Sequence, residues 1–257
     1  VICTPTICHV RNANFCQKNN IPTYIDKPLG YEENDHEIKK ILKFSKKQKI
    51  HGGFNLKYCK ELNEFIKKIR KIKKIKTAEF IWRTDMRKWH PGENYKKSYA
   101  FKKSLGGGVI HTCSHEINML NDFFDKPKFI KIKKLYKEGI CSSYKAKFRD
   151  GKTNINIIVD FMCNKNERFI NFFDNKKNYI FDFYRYNYKK INDISYIKSM
   201  KDFIKCIHKD RIPKSNFFDT FKTYKFLEKL INEKKNSHNW FRGKSWEFFQ
   251  KVFIQKK

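Results

Sequence analysis

The chain has 257 residues, with 58 Lys and Arg against 26 Asp and Glu, a formal net charge of +32. That length can bury a sizeable core as one large or two modest domains. Eight cysteines scattered without a Cys-x-x-Cys pair exclude a disulfide scaffold and point to a reducing compartment, so a cytoplasmic location is expected. No charge-free apolar run is long enough to cross a bilayer, and no signal peptide is visible. The chain opens on Val rather than Met, so its natural start is expected to lie upstream.

The charge first suggests a nucleic-acid or anionic-membrane partner. Its distribution argues against one. The excess is almost all lysine and accompanies many Ile, Asn, Phe and Tyr, a composition that an A/T-rich genome would give. The densest run, from Lys67 to Lys76, is interleaved with Leu62, Phe65, Ile66, Ile69 and Ile72 at helical spacing, which makes it the wet face of an amphipathic helix. Lysine spread through every segment gives a diffuse field, so no specific nucleic-acid partner is expected.

In chain order, residues 1–3 read as an apolar strand, 8–19 as a short helix and 21–25 as a second strand. Residues 33–47 read as a helix with Ile38, Ile41 and Leu42 on one face, followed by a strand over 50–56. Strand and helix in alternation predict a parallel sheet covered by helices, with ligands gathering at the carboxyl ends of the strands. Thr4-Pro5-Thr6 and Asp26-Lys27-Pro28 both fall at such ends.

After a run of three glycines the pattern changes. A helix is expected over 111–124, then several strands. Asp150-Gly151 suits a tight hairpin turn, and residues 155–161 alternate as a strand with one firmly apolar face. Residues 174–177 form a second turn, between strands ending at Phe173 and starting at Tyr179. Two helices close the domain, one along Ile197, Met200, Ile204 and Ile207, another along Phe218, Phe221, Leu227 and Leu230. Consecutive strands bracketed by helices predict an α+β domain with an open, mostly antiparallel sheet. Trp240, Phe241, Trp246, Phe248 and Phe249 mark an aromatic, basic tail over 233–257, read as a terminal amphipathic helix on the body or a partner, with membrane-surface attachment as the alternative.

Two stretches carry the functional reading: Tyr24-Ile25-Asp26-Lys27-Pro28-Leu29-Gly30, and Gly106-Gly107-Gly108-Val109-Ile110-His111-Thr112-Cys113-Ser114-His115-Glu116. In this order and spacing they resemble the Glu-Lys-Pro and Gly-Gly-Gly…His motifs of the Gfo/Idh/MocA family of NAD(P)-dependent sugar oxidoreductases. Thr4-Pro5 followed by His9 resembles the family's strand ending in Thr-Pro, and residues 53–58 resemble the strand closing its nucleotide-binding domain, with Lys57 where an arginine is commoner. The resemblance implies the C-terminal half of a Rossmann-type domain over 1–57, an α+β substrate and oligomerisation domain over 58–232, and the tail. It places Val1 near the fourth strand of the nucleotide-binding domain. No Gly-x-Gly-x-x-Gly follows the first strand, so the first half of that domain is expected to be missing.

The resemblance further implies NAD or NADP as cofactor, held by Thr4, Pro5, His9, Asp26, Lys27, Pro28 and Asn55. It implies a sugar or nucleotide-sugar substrate met by Lys27, Trp89, Tyr95, Tyr99 and His115, in surface-polysaccharide or modified-sugar synthesis. A polyol or inositol dehydrogenase of the same family, or a non-catalytic relic, is the alternative. His115 is the expected base, since an ordinary imidazole pKa near ~6.5 suits proton transfer at neutral pH. Lys27 is its cationic partner. Where the family commonly has an aspartate, three or four residues before the histidine, this chain has Thr112 and His111, and His111 is a candidate to assist. Asp26 stands for the family's Glu, a shorter carboxylate. His111, His115 and Glu116 lack a third metal ligand at useful spacing, so no metal is expected. A homo-oligomer formed through the C-terminal sheet is also implied.

Overall fold

The computed structural model describes residues 1–31, 35–44, 50–209 and 211–233. After a single 3-10 turn at Thr6–Cys8 come α1 (His9–Lys18), β1 (Thr23–Ile25), α2 (Asp35–Phe44) and β2 (Ile50–Gly52). β1 and β2 pair in parallel with Thr23 opposite Ile50. The strand expected over 1–3 is only a bridge, Ile2 to Ile25, closed by Ile2 N–H to Tyr24 O at 2.7 Å and Asp26 N–H to Ile2 O at 2.9 Å. The strand expected over 50–56 stops at Gly52, because the chain turns into a 3-10 helix at Asn55–Tyr58. The helix expected over 33–47 lies partly outside the described residues, as does the side chain of Leu42; Ile38 and Ile41 are buried as its spacing requires.

Next come α3 (Lys60–Arg70), β3 (Thr77–Asp85), α4 (Val109–Thr112) and α5 (His115–Phe123). They are followed by β4 (Lys128–Lys137), β5 (Ile140–Asp150), β6 (Thr153–Asp160), β7 (Met162–Phe173) and β8 (Asn178–Asp182). α6 (Tyr188–Lys209) and α7 (Phe217–Asn232) close the described chain. α3 turns Leu62, Ile66 and Ile69 inward and leaves Lys67 and Lys68 in water, as its spacing predicts. α7 starts where the Asn216 side chain accepts the Asp219 N–H at 3.1 Å, a standard N-cap. The tail beyond Glu233 lies outside the described residues.

Six strands form one sheet in the order β4-β5-β6-β3-β7-β8. Its pairs are antiparallel except β3 with β6, which is parallel. The sheet is therefore mixed, and β3, for which the sequence suggests no element, is one of its two central strands. β6 fits β3 in parallel because the Asp150-Gly151 turn sends β6 back alongside β5. In the second turn Asp174 Oδ1 accepts the N–H groups of Lys176 and Lys177 at 2.9 and 3.0 Å.

One sheet face meets α3, α5 and the end of α7. Phe80, Phe172, Ile155, Ile157 and Val159 pack there with Leu62, Ile66, Ile117, Leu120, Leu227 and Leu230. Phe123 lies 4.9 Å from Phe172, centroid to centroid. A smaller core joins Ile2, Val10, Ala13, Ile25, Ile38, Ile41 and Ile50 to Phe217 and Tyr224 of α7. α7 thus contributes to both cores, which fixes the parallel pair against the larger sheet.

Lys57 reinforces that junction. Only 6% exposed, its Nζ lies 2.6 Å from Asp122 Oδ1 on α5 and 3.6 Å from Asp219 Oδ2 on α7. Removing one partner of a buried ion pair leaves the rest uncompensated. Lys57→Met is therefore expected to lower unfolding free energy by about 3 kcal/mol, read from the urea midpoint; an unchanged midpoint would contradict this role.

Candidate active site

The carboxyl ends of the Ile2 bridge, β1 and β2 lie side by side, which brings Thr4-Pro5, Asp26-Lys27-Pro28 and Asn55 to one edge. His9 staples the first two. Its Nε2 lies 2.7 Å from Thr4 O and its Nδ1 2.8 Å from Pro28 O. His9 is buried with both nitrogens on main-chain oxygens, so it fixes the loops themselves. Asn55 is also buried, and its amide donates to Asn192 Oδ1 at 2.9 Å while its own Oδ1 has no hydrogen-bond partner.

The glycine run meets this edge from the other domain. Gly106 has φ +78°, and a Cβ there would fall 2.9 Å from Thr6 Cβ. A Cβ on Gly107 would fall 2.4 Å from the Tyr99 carbonyl oxygen. The close approach that glycine permits is therefore to the chain's own backbone. It seats the loop on Thr6, just before α4, whose last carbonyl meets Lys27.

The single helix expected over 111–124 is two. Cys113, at φ −104° and ψ 44°, ends α4, and α5 starts afresh at His115. His111 and His115 consequently do not share one continuous helical face. His111 bonds the backbone of Gly107 and lies 4.9 Å from the Tyr31 ring, and burial pulls its pKa down to about 4. His115 packs edge-on against Phe54 at 5.6 Å, and its Nδ1 is buried without a hydrogen-bond partner. Burial first, then the charges of Lys27 and Arg168, hold its pKa well below the ordinary value, so the ring is neutral at physiological pH.

Lys27 Nζ donates to Thr112 O, the last carbonyl of α4, at 2.8 Å. Burial opposes its charge, but Tyr99, Asp26, Cys113 and Tyr188 outweigh it, and its pKa is raised. The charged ammonium and the neutral imidazole are thus within electrostatic reach of each other.

Sequence reasoning misses the pair behind it. Glu116 and Arg168 are each 1% exposed, with Arg168 Nε donating to Glu116 Oε1 at 2.8 Å. Arg168 also donates to the Tyr188 hydroxyl at 2.6 Å. A lone arginine on an otherwise alternating strand gives little signal; that β7 lies beside the central β3 is what buries it.

Of the expected substrate contacts, Tyr99 is 41% exposed and faces Lys27 electrostatically. Trp89 and Tyr95 line a small cleft with Met86, His90, Glu93 and Ser98. Trp89 stacks on Trp82 at 6.3 Å, and Trp82 lies under Arg168, so the cleft adjoins the Glu116–Arg168 pair. Among the described residues no group of three His, Cys, Asp or Glu could hold a metal ion, and no helix is long and apolar enough to cross a membrane.

No family model matches the sequence, and no curated protein matches it. Solved structures do. A levoglucosan dehydrogenase in complex with NADH and levoglucosan superposes with a TM-score of 0.75 over 90% of this chain and 76% of that one, at 15% identity. The WlbA dehydrogenase of Bordetella pertussis, in complex with NADH and UDP-GlcNAcA, gives 0.73 over 90% and 75%, at 12% identity. A myo-inositol dehydrogenase of Corynebacterium glutamicum gives 0.69 over 91% and 77%, at 17% identity. The chain has the fold of the Gfo/Idh/MocA-type dehydrogenases.

Three of the buried histidines have lowered pKa values and so contribute to the acid stability. His51 stacks on Tyr24 at 4.7 Å, and burial lowers its pKa to about 4, as for His111; His115 is also lowered. A depressed folded pKa means that the unfolded chain takes up protons first as pH falls below ~6.5. Stability should be flat above that value and fall toward about pH 4, each histidine contributing roughly 1.4 kcal/mol per pH unit. Urea midpoints from pH 7.5 down to 4.5 measure this, and His51→Phe should lessen the slope. Stability that stays level down to ~pH 5 would contradict it.

Proposed function

We propose that this chain carries the catalytic centre of an NAD(P)-dependent oxidoreductase that acts on a sugar or nucleotide-sugar hydroxyl. The observation that carries the reading is Lys27, charged and tied to Thr112, set beside a neutral His115 whose Nδ1 has no partner. The solved neighbours support it, since two of them are described with NADH together with levoglucosan or UDP-GlcNAcA. We keep modified-sugar or surface-polysaccharide synthesis as the reading and a polyol or inositol dehydrogenase as the alternative, since the neighbours include both kinds.

The residues fit a nicotinamide nucleotide at the strand ends. Thr4, Pro5, Asp26, Lys27, Pro28 and Asn55 gather there, and the Asn55 Oδ1 is an unpartnered buried acceptor. Nicotinamide, when bound, supplies the two-electron acceptor for the carbinol hydride. On the protein side, His115 takes the hydroxyl proton as the C–O bond gains double-bond character. The Lys27 ammonium stabilises negative charge developing on that oxygen. Tyr99, Trp89 and Tyr95 offer aromatic surface to the sugar. His111, committed to Gly107, holds the loop in place.

We place the domain boundary at residues 57/58, in the 3-10 turn that leads into α3. We assign the sheet face that carries Ile158, Ile81 and Phe169 in one register row to a second copy of the chain; Ile158 and Phe169 are half-buried there and Ile81 is buried.

His115→Ala should lower kcat about a hundredfold to ten-thousandfold with little change in cofactor affinity. Lys27→Ala should lower kcat and raise KM together, because its charge acts before and during the reaction. Steady-state kinetics over a panel of sugars and nucleotide sugars, followed by NAD(P)H absorbance, checks both. Near-wild-type turnover in His115→Ala would remove the base assignment.

A further inference from the structure

We propose that the buried Glu116–Arg168 pair is the positioning element of the His115 site, pinning the first turn of α5 to the sheet so that the imidazole is held at one depth and orientation. The inference rests on His115 being the proton acceptor. Glu116 immediately follows His115, so whatever fixes its carboxylate also fixes the start of α5. Arg168 Nε donates to Glu116 Oε1 at 2.8 Å, and its Nη2 makes an ionic contact with the same oxygen at 2.7 Å.

The guanidinium is itself immobilised from three further sides. Trp82, its cross-strand partner on β3, lies with its ring 4.0 Å away. The rings of Phe183 and Tyr188 lie at 4.8 and 5.1 Å, and the Tyr188 hydroxyl accepts from Nη1 at 2.6 Å. The arginine therefore anchors α5 to β3, β7 and the start of α6 at once. An ion pair at this depth is weak evidence for stability alone, since apolar residues of equal volume often do as well. Its place beside the imidazole gives it a different use.

The charged and titratable groups around His115 come from every packed element. Lys27 approaches from the turn after β1 and Arg168 from β7, both cationic toward the ring. Glu116 follows on its own helix. Cys113 and Tyr144 lie against Glu116, and burial pushes both their pKa values up, which leaves them neutral. Burial first, then the two cations, favour the uncharged imidazole, the form that can accept a proton; burial also pushes the Glu116 carboxyl up, and Arg168 opposes that. Removing the arginine removes one cation and the anchor; removing the carboxylate leaves the cations unopposed.

An NMR titration of the 257-residue chain carrying ring-labelled histidine tests this without substrate or cofactor, so its failure would leave the oxidoreductase reading standing, just as an inactive His115→Ala would leave this pair unaddressed. In the wild type the His115 resonance should stay in its neutral form well below the ordinary imidazole midpoint. Arg168→Met should bring its midpoint up by about a unit or more, into the titratable range, and Arg168→Lys should restore most of the depression. Where Arg168→Met does not fold, the isosteric Glu116→Gln gives the same decision with opposite sign, compared in a Lys27→Met background that brings the wild-type midpoint into range: the midpoint should move down. A His115 midpoint that is unmoved by Arg168→Met, or unmoved by Glu116→Gln in that background, would overturn the proposal.

Discussion

One ammonium joins the two halves of the site. Lys27 leaves the end of β1 and donates to the carbonyl that closes α4. A lysine turned inward is costly unless its charge is answered, and Asp26 beside it and the carbonyl ahead of it answer that cost here. The bond also explains why α4 ends where it does. A helix running on through Cys113 would turn the Thr112 carbonyl back into its own hydrogen-bond ladder.

The same economy recurs one layer out. His9 links the Thr4 and Pro28 carbonyls, Gly106 lies against Thr6, and Lys57 ties the 3-10 segment to α5 and α7. His9 ties loops within the small parallel pair, whereas Lys57 joins that pair to the larger domain through its carboxylate partners, Gly106 by close approach to Thr6, and α7 through apolar side chains. Burial of this kind needs satisfied hydrogen bonds. Several orphaned atoms belong to residues of the site, His115 Nδ1, Glu116 Oε2 and Asn55 Oδ1 among them, while others, such as His51 Nδ1, Asn171 Oδ1 and Ser215 Oγ, lie elsewhere in the core.

Much of this was legible in the sequence, for a physical reason in each case. Lys27-Pro28 after a β-branched run and the glycines before His115 are local signals, and local geometry follows from them. Helices α3 and α7 were readable from spacing alone, and the Asp150-Gly151 hairpin from its turn chemistry. What was not readable depends on distant partners. β3 pairs with strands some eighty residues further on, and the lysine-rich stretch before it masks its alternation. The break at Cys113 goes with the Thr112 carbonyl turning to Lys27 on a distant segment, which no helical period reveals. Arg168 is marked only by what the sheet stacks on it.

The central claim is that Lys27 and His115 act on one hydroxyl. A double-mutant cycle on kcat/KM, with Lys27→Met, His115→Ala and the double variant, measures their coupling most directly. If both residues serve the same proton and charge, the double variant should be little slower than the slower single one. Losses that simply multiply would show two independent roles and contradict the account.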